Sequence, residues 1–342
     1  MTTGTPSPSS GAPSAPRLVV LHGGELPPGR ERIDGRPGLA AVDYATADTL
    51  GDALPGARVL LVWDLFTEAL TAAWPKADAL EWVHAATTGV DNLMFPGLVE
   101  SGTTVTNSRG VFDRPIAETV LGFVVSFAKG LHITRDLQRE RTWKWRETEP
   151  VAGRHALVIG TGGIGRAIAR LLSAAGMTVE GAGRTPRTGD PDFGTVVEAS
   201  LEVPGAGLHE ALPRADYVIA AAPLTPATRG LIGAEALGRM RPTARLVNVG
   251  RGPTVVEEDL VRALRSGAVA GAALDVFAAE PLPPDSPLWS MPQVIVSPHM
   301  SGDVEGWKDE LVRLFLDELG RYLAGEPLRN VVDKRRGYPA GH

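Results

Sequence analysis

One segment of this 342-residue chain constrains its fold more than any other, a glycine turn that runs from Gly160 to Gly165. It reads Gly-Thr-Gly-Gly-Ile-Gly, follows the apolar run 156–160 and precedes the helical run 164–175. Gly160 can make the tight turn, Gly162 lets backbone N–H groups approach a pyrophosphate, and Gly165 allows close packing of helix on strand. The turn therefore predicts a dinucleotide site with the anion at the helix N-terminus. Its contacts are expected from Gly160, Gly162, Gly163, Ile164 and Gly165.

Two other interpretations of the turn stay open on the motif alone. A glycine-rich turn can bind nothing, and methyltransferases use a similar loop for S-adenosylmethionine. The strand before the turn and the helix after it favour the dinucleotide, because the motif has value mainly in that context.

The region after residue 155 alternates apolar strands with helices, which is typical of a parallel sheet covered by helices. Helices are predicted over 164–175 and 257–265. Strands are predicted at 156–160, 177–182, 217–222, 246–249, 270–276 and 294–297. Six strands in this pattern predict a doubly wound sheet.

The N-terminal part predicts a second α/β layer of the same kind. Buried strands are expected at 17–21 and 59–63, and short helices at 46–54 and 67–74. A long apolar helix over 116–131 is expected between the domains. A last helix, over 306–324, is expected to cross back and cover the first sheet.

The length of the chain favours two domains, since one domain usually takes roughly 100–200 residues. We therefore predict an α/β protein of two Rossmann-like or flavodoxin-like domains with doubly wound parallel sheets. The dinucleotide domain, 113–299, would be inserted in a discontinuous substrate-binding domain formed by 17–112 and 300–342. Residues 1–16 are rich in Ser, Pro, Thr and Gly and lack the basic start and apolar run of an export signal, so they are predicted to be a disordered tail.

Composition argues against several kinds of partner. The net charge of −6 comes from mixed acids and bases without a basic stripe, so nucleic acid is not expected. No apolar run approaches the ~18–20 residues that span a bilayer, so a membrane is not expected. The absence of cysteine excludes disulfides and thiolate chemistry and fits a cytoplasmic location. The seven histidines are scattered, so no metal site is predicted.

Three candidate chemical groups, Arg251, Glu280 and His299, each follow a predicted strand of the dinucleotide domain, where ligands gather in such sheets. Reduction of a keto carbon places negative charge on its oxygen, and histidine, which titrates near neutrality, suits the general acid. A nearby Glu280 would favour the charged imidazole and fix its tautomer. Arg251, with little to obstruct a planar ligand between Gly250 and Gly252, would hold a substrate carboxylate in a bidentate grip.

Each of these residues has a plain structural explanation when it is taken alone. Arg251 could be a surface cation at a turn, Glu280 a solvated loop acid, and His299 a core histidine after a proline. Their joint placement after successive strand ends of one nucleotide-binding sheet favours a catalytic site.

Nearly the whole chain after residue 17 resembles the D-isomer-specific 2-hydroxyacid dehydrogenases, in particular their glyoxylate and hydroxypyruvate reductase branch. The resemblance extends beyond the glycine turn to several separate motifs. They are Pro223-Leu-Thr225 with Thr228, the segment Asn248–Gly252, Ala273-Leu-Asp275-Val-Phe277, Glu280-Pro281-Leu282 and Ser297-Pro298-His299.

The resemblance implies roles for the matching residues. Arg251 would bind the substrate carboxylate, Glu280 would pair with the acid/base His299, and Asp275 would face the nicotinamide carboxamide. Backbone N–H groups of the loop at Thr88 and Gly89 would also hold the substrate carboxylate. The expected reaction is the NAD(P)-dependent reduction of a small 2-keto acid to its D-2-hydroxy acid.

The resemblance also implies further coenzyme contacts and an assembly. The remaining coenzyme contacts are expected from Arg184, Thr185, Arg187, Pro223, Thr228, Val249 and Gly250. Trp143 resembles a residue on the loop associated with family dimers, so a homodimer through the nucleotide domain is implied.

NADPH is expected in preference to NADH, with NAD possible as coenzyme. NAD-specific sites place an acid on the ribose 2′-OH about 20 residues beyond the glycine turn, but the expected position here is Gly183. Arg184 and Arg187 follow it and could bind a 2′-phosphate, as in the family's NADPH-using reductases. In the alternative, both arginines are solvated and Glu180 reaches the ribose.

The sequence departs from the family pattern at two positions. Val256 stands where an aspartate usually caps the next helix, and Ala221 where a histidine often precedes Pro-Leu-Thr; neither touches the expected chemistry. Formate is disfavoured as the substrate, because formate dehydrogenases carry glutamine where this chain has Glu280. Phosphite is disfavoured because phosphite dehydrogenases carry lysine where this chain has Thr88.

The 2-keto acid itself is left open by the sequence. Glyoxylate, hydroxypyruvate, pyruvate and branched keto acids share the carboxylate end and differ in a pocket for which Trp63, Asp64 and Trp143 are candidate walls. A family-derived regulatory protein that senses dinucleotide without turnover is the rival hypothesis.

Overall fold

The computed structural model describes residues 15–64, 67–202 and 205–339. The predicted disordered tail, 1–16, lies outside the described residues except for its last two. The Pro16 carbonyl accepts a hydrogen bond from Ala40 N–H at 2.9 Å, so Pro16 already belongs to the folded part.

The chain folds into two compact units. Unit 1 takes the described residues within 1–108 and 308–341, and unit 2 takes those within 109–307. The sequence placed the two boundaries after 112 and after 299.

Unit 1 begins with a five-stranded parallel sheet in the order β2-β1-β3-β4-β5. Its strands are β1 (Arg17–Leu21), β2 (Ala41–Ala45), β3 (Val59–Val62), β4 (Trp82–Ala85) and β5 (Thr104–Asn107). The helices between them are α1 (Glu31–Asp34), α2 (Leu50–Ala53), α3 (Ala69–Ala73) and α4 (Pro96–Glu100).

The sequence predicted only β1 and β3 of these strands. Both are continuous apolar runs whose core residues are buried, which is the pattern that identifies a strand covered on both faces. The other three strands include polar residues such as Asp43, His84 and Thr106 and so lack that pattern.

Unit 2 is built around a larger sheet. Its helices are α5 (Asp113–Lys129), α6 (Leu131–Arg139), α7 (Gly163–Ala174), α8 (Leu208–Ala211), α9 (Ala234–Arg239) and α10 (Glu257–Ser266). Its strands are β6 (His155–Ile159), β7 (Thr178–Gly183), β8 (Arg187–Asp190), β9 (Gly194–Glu198), β10 (Tyr217–Ala220), β11 (Arg245–Asn248), β12 (Gly271–Leu274) and β13 (Val294–Val296).

The sheet of unit 2 has the order β13-β12-β11-β10-β6-β7-β9-β8, so the prediction of six strands was wrong by two. The six predicted strands and β9 are parallel, and β8 pairs with β9 antiparallel at the edge. The sequence missed β8 and β9 because they form a short polar hairpin. The order reverses at β6, as a doubly wound sheet requires, and the predicted α/β class is confirmed.

Helix α5 packs its apolar face inside unit 2. Val120 and Val124 are fully buried in one core with Ile168 and Leu172 of α7. The helix ends before the predicted residue 131, because Gly130 takes a left-handed φ of 58° and its N–H caps the last turn.

The C-terminal segment belongs to unit 1 from Lys308 onward. It consists of α11 (Trp307–Leu323), β14 (Val332–Asp333) and β15 (Tyr338–Pro339). Phe315 and Tyr322 of α11 stack on Trp82 of β4, with ring centroids 5.6 and 5.4 Å apart. The last helix therefore covers the first sheet, which supplies apolar partners for Trp82.

Among the described residues no single helix is both long and apolar enough to cross a bilayer; only α5 and α6 taken together, with a 66° bend between them, reach the required length and composition.

Candidate active site

The glycine turn joins β6 to α7 at the carboxyl edge of the sheet in unit 2. Gly160 has a φ of 113°, and a Cβ there would lie 2.7 Å from the Ala221 carbonyl. A Cβ at Gly165 would overlap the Gly160 carbonyl oxygen. Glycine is therefore required at both positions. Helix α7 starts with Gly162 as its N-cap, followed by Gly163 and Ile164. Backbone N–H groups in this first turn lack intrahelical partners, which suits them to the oxygens of a pyrophosphate.

The other predicted groups of unit 2 follow neighbouring parallel strands. Since the carboxyl ends of parallel strands lie at one edge of the sheet, these groups share the edge that carries the glycine turn. They are Arg184 after β7, Pro223 after β10, Val249 to Arg251 after β11, Asp275 after β12 and His299 after β13.

Glu180 is held in an ion pair away from the end of β7. Its carboxylate accepts two hydrogen bonds from Arg214 Nη2, at 2.8 and 2.9 Å, and lies 3.4 Å from His155 Nε2. At the end of the strand, a Cβ on Gly183 would come within 2.8 Å of Thr161 Oγ1, so an acid there would crowd the glycine turn. This packing disfavours the alternative in which Glu180 serves the ribose.

Arg187 is the first residue of β8, a strand that the sequence did not predict. Its Nε donates to Asp190 Oδ2 at 2.8 Å, and Arg166 of α7 donates to both oxygens of the same carboxylate, at 3.1 and 3.0 Å. Burial raises the pKa of Asp190, but these arginines outweigh it and hold the pKa far below its usual value. The charge of Arg187 is thus shared with a buried acid, whereas Arg184 and Thr185 are exposed on the preceding turn.

Arg251 follows β11 with an extended backbone. Its carbonyl accepts hydrogen bonds from Asn248 Nδ2 at 3.2 Å and Thr254 Oγ1 at 2.7 Å. The flanking glycines have a packing role that the sequence did not suggest. A Cβ on Gly250 would lie 2.8 Å from the Ala222 oxygen, and one on Gly252 would overlap the Phe277 carbonyl. They let the backbone after β11 approach its neighbours closely, which fixes the position of the Arg251 backbone from which the guanidinium extends.

His299 and Glu280 form a hydrogen-bonded pair. His299 Nδ1 lies 2.7 Å from Glu280 Oε2, and the other oxygen, Oε1, accepts the Phe277 N–H at 2.8 Å. Burial raises the pKa of Glu280, but the bonds from His299 and Phe277 outweigh it and leave the pKa below its usual value. Arg251 lowers it further by charge. The carboxylate is therefore ionised and accepts from Nδ1, which makes Nε2 the second proton site of the ring.

Asp275 organises the backbone around His299. Its carboxylate accepts hydrogen bonds from Ser297 Oγ at 2.5 Å, Met300 N–H at 3.0 Å and Ser301 N–H at 3.1 Å. His299 has a left-handed φ of 54°, and its own N–H donates to the Asp275 carbonyl at 2.8 Å. Sequence reasoning missed this role because it comes from contacts across 22 to 26 residues. The expected contact of Asp275 with the nicotinamide stays a prediction.

The turn after β10 is closed by Thr228. Its Oγ1 donates to the Pro223 carbonyl at 2.7 Å and accepts the Thr225 N–H at 2.8 Å. Val249, the first residue after β11, is only 6% exposed. The coenzyme contacts expected of these residues would therefore come mainly from a rigid backbone.

In unit 1 the loop after β4 carries Thr88 and Gly89. The Thr88 carbonyl accepts a hydrogen bond from Asn107 Nδ2 at 2.6 Å, and both loop residues are half-buried. Of the three candidate walls of a substrate pocket, Trp63 is a core residue at 6% exposure, Asp64 is half-buried, and Trp143 is fully exposed. Trp63 therefore serves the core of unit 1.

The departure at Val256 has the expected local effect. Val256 is the N-cap of α10 and provides no side-chain cap, and the first turn has three acids, Glu257, Glu258 and Asp259. Acidic residues near a helix N-terminus interact favourably with the helix dipole, and this offsets part of the stability lost with the missing cap.

The described part of the chain contains no group of three or more metal-ligating side chains.

Comparison with known proteins finds a family model and relatives that match most of the chain. Residues 121–301 match the model of the D-isomer specific 2-hydroxyacid dehydrogenase NAD binding domain. Glyoxylate reductase of Korarchaeum cryptofilum is 32% identical over 284 residues, which cover 81% of this chain and 82% of that protein.

Two solved structures share the fold over almost their whole length. A D-isomer specific 2-hydroxyacid dehydrogenase from Xanthobacter autotrophicus, in complex with NADPH and MES, is 32% identical with a TM-score of 0.79, covering 95% of this chain and 100% of that one. An NADPH-dependent glyoxylate/hydroxypyruvate reductase from Sinorhizobium meliloti, in complex with NADP and sulfate, is 28% identical with a TM-score of 0.79 and the same coverage.

Proposed function

Because the chain belongs to the D-isomer-specific 2-hydroxyacid dehydrogenases, we propose that it reduces a small 2-keto acid to its D-2-hydroxy acid with Arg251, Glu280 and His299 as its chemical groups. Membership makes it an NAD(P)-dependent oxidoreductase of 2-hydroxy acids. The observation that carries the residue assignment is the 2.7 Å hydrogen bond between His299 Nδ1 and Glu280 Oε2.

His299 is the general acid of the reduction. Since Nδ1 donates to Glu280, a protonated ring gives up its other proton from Nε2. The reduced nicotinamide, when bound, supplies the hydride that the keto carbon accepts. As the C=O bond becomes C–OH, the keto oxygen takes the Nε2 proton and His299 is left neutral. Oxidation of the hydroxy acid reverses both transfers.

Arg251 anchors the substrate by its carboxylate. A guanidinium presents two parallel N–H donors to a carboxylate, which fixes the orientation of the adjacent keto group as well as its position. Arg251 also lowers the pKa of Glu280, so Glu280 interacts electrostatically with both Arg251 and His299. A 2-keto acid, with its carboxylate next to the reacting carbonyl, is the substrate class that this arrangement suits.

The residues of the glycine turn hold the coenzyme, and NADPH is preferred over NADH. The preference is supported by Gly183 at the end of β7, by the engagement of Glu180 with Arg214, and by the exposed Arg184 and Thr185 beside that strand end. The relatives from Xanthobacter and Sinorhizobium were solved with NADPH and NADP.

Glyoxylate and hydroxypyruvate are the first substrates to test. Reductases of these acids are among the relatives of the chain, and both acids combine a carboxylate with a small keto group. A homodimer is the proposed assembly. It is supported by Trp143 and Trp145, which are 100% and 80% exposed in the single chain.

The proposal is tested by assaying the protein with glyoxylate, hydroxypyruvate, pyruvate and a branched 2-keto acid, each with NADPH and with NADH. We expect coenzyme oxidation with at least one acid and a loss of roughly 10²–10⁴-fold in His299→Ala, which should still bind coenzyme. Coenzyme binding without turnover of any acid would favour the regulatory alternative. Full activity in His299→Ala would remove that residue from the chemistry.

A further inference from the structure

A chain of buried hydrogen bonds lies beneath the loop that follows β4 in unit 1. It involves Trp82 and His84 of β4, Thr106 of β5 and Ser108 just beyond β5. All four side chains are fully buried, and His84 and Thr106 face each other as register partners in the parallel pair. Buried polar groups of this kind must satisfy one another, because no solvent reaches them.

The direction of every bond in this chain can be assigned. Trp82 Nε1 can only donate, and it does so to Thr106 Oγ1 at 2.8 Å. Ser108 Oγ donates to the Ala85 carbonyl at 3.0 Å, so His84 Nε2, 3.3 Å from that oxygen, must carry the ring proton. His84 Nδ1 then accepts from Thr106 Oγ1 at 2.8 Å. Burial lowers the pKa of His84 to about 3, which keeps the ring neutral as this assignment requires.

Two hydrogen bonds join the end of β5 to the backbone of the loop after β4. Ser108 N–H donates to the Thr87 carbonyl at 2.8 Å, and Asn107 Nδ2 donates to the Thr88 carbonyl at 2.6 Å. In a trans peptide the N–H points opposite to the C=O. The N–H groups of Thr88 and Gly89, which belong to these two peptides, therefore point away from Asn107 and Ser108.

Neither of these two N–H groups donates a hydrogen bond to any residue that the structure describes. Both residues are half-buried, so the loop is partly protected from solvent and is still accessible to a ligand. Two successive N–H groups on the same side of a loop form a concave site for an anionic oxygen. The loop therefore presents two donors that suit a carboxylate oxygen, and its orientation is set by the Asn107 side chain and the Ser108 backbone N–H beneath it.

We propose that Asn107 and Ser108 are positioning residues that aim the Thr88 and Gly89 N–H groups at the substrate carboxylate, with His84 fixing the rotamer of Ser108. This rests on the proposed function, which supplies the 2-keto acid. Neither Asn107 nor Ser108 touches the substrate; each acts through the carbonyl that it holds.

Two substitutions test the positioning. Asn107→Asp replaces the donor to the Thr88 carbonyl by a carboxylate that repels it, and Ser108→Ala removes the bond to Ala85 but keeps the backbone bond to Thr87. We expect Asn107→Asp to raise KM for the keto acid roughly 10- to 100-fold, as for a lost hydrogen bond to a charged group, with kcat and coenzyme Kd nearly unchanged. Ser108→Ala should raise KM less, and Ser108→Thr, which keeps a hydroxyl, should restore it.

Ser101→Ala is the matched control. It removes a hydroxyl-to-carbonyl bond of similar length in unit 1, from Ser101 Oγ to the Leu98 carbonyl at 2.8 Å, together with the bonds that this hydroxyl accepts from Thr103 N–H and Lys334 Nζ. It should leave KM unchanged. An unaltered KM in Asn107→Asp, or equal losses in kcat and coenzyme affinity, would overturn the positioning role while leaving the proposed reaction in place.

A measurement on the unmodified protein separates the loop from the reaction. With coenzyme bound, oxalate should shift the amide resonances of Thr88 and Gly89 in a ¹⁵N–¹H spectrum, because a carboxylate that accepts from an N–H deshields it. This outcome depends neither on turnover nor on the folding of a variant. If oxalate binds and both resonances stay in place, the loop does not hold the carboxylate.

Discussion

Glu280 Oε2 lies 2.7 Å from His299 Nδ1, and the second oxygen of Glu280 is occupied by the Phe277 N–H. The carboxylate is therefore fixed from both sides, and so is the ring that it holds. The pair has a defined proton pattern, with Nδ1 bound to the acid and Nε2 available as the second site. Because the Glu280 charge stabilises the protonated ring, removing that charge should change the pH dependence of the reduction.

Glu280→Gln keeps a hydrogen-bonding side chain but removes the negative charge beside His299. The protonated ring loses its stabilising partner, so the alkaline limb of kcat/KM for reduction should move to lower pH. The pH profile of 2-keto acid reduction measures this. Glu258→Gln, an equal loss of charge on an exposed position of α10, is the control. Superimposable profiles for Glu280→Gln and the unmodified protein would mean that the two residues are uncoupled.

Arg251→Lys tests the substrate anchor. A lysine keeps the charge but presents no planar fork, so kcat/KM should fall by roughly 10- to 100-fold while coenzyme affinity is retained. The same change at Arg262, an exposed arginine of α10 that pairs with Asp259, should have no effect. If Arg251→Lys retained its kcat/KM, the carboxylate would have to be anchored by another residue.

Arg184→Ala and Arg187→Ala separate the two arginines near the end of β7. Arg184 is exposed, so we expect its loss to reduce kcat/KM with NADPH roughly 10- to 100-fold and to leave the value with NADH nearly unchanged. Arg187 shares its charge with Asp190, so its loss should cost less with NADPH and should lower Tm, since the buried Asp190 loses a partner. Kinetics with both coenzymes and thermal unfolding decide this. Equal coenzyme discrimination in Arg184→Ala and the unmodified protein would contradict it.

His84 should make the protein less stable in mild acid. Burial lowers the folded pKa of His84 to about 3, whereas an unfolded histidine titrates at about 6.5. Between these values the unfolded chain binds a proton that the folded chain does not. The stabilisation is therefore complete above pH 6.5 and is lost as pH falls toward 3.

The size of this effect follows from the same linkage. Between pH 7.5 and 5.5 the neutral His84 should cost about 1.4 kcal/mol of unfolding free energy. Urea unfolding at the two pH values measures it, and His84→Gln should show a pH dependence smaller by that amount. Because burial also lowers the pKa of His132, the comparison between variant and unmodified protein is the informative one. An identical pH dependence in both would show that His84 is not buried as a neutral ring.

Local sequence was sufficient to predict the glycine turn and the strand ends. An apolar run before Gly160, a helical run after it and apolar runs before Arg251 and His299 are properties of neighbouring residues, and they predict a doubly wound sheet with its ligands at one edge. Strands β2, β4, β5, β8 and β9, which contain polar residues, were missed. Their burial depends on what packs against them, which no local pattern records.

Only the tertiary structure decided which partners the charged and polar groups have. Arg184 and Arg187 are equivalent in the sequence, yet Arg187 pairs with Asp190, a carboxylate that Arg166 also binds, whereas the Arg184 side chain is exposed on the turn. The orientation of the loop at Thr88 likewise depends on Asn107, which is 19 residues away. Hydrogen bonds and ion pairs need atoms to meet at about 3 Å in a defined direction. For residues far apart in the chain, that condition is met only when both elements have packed.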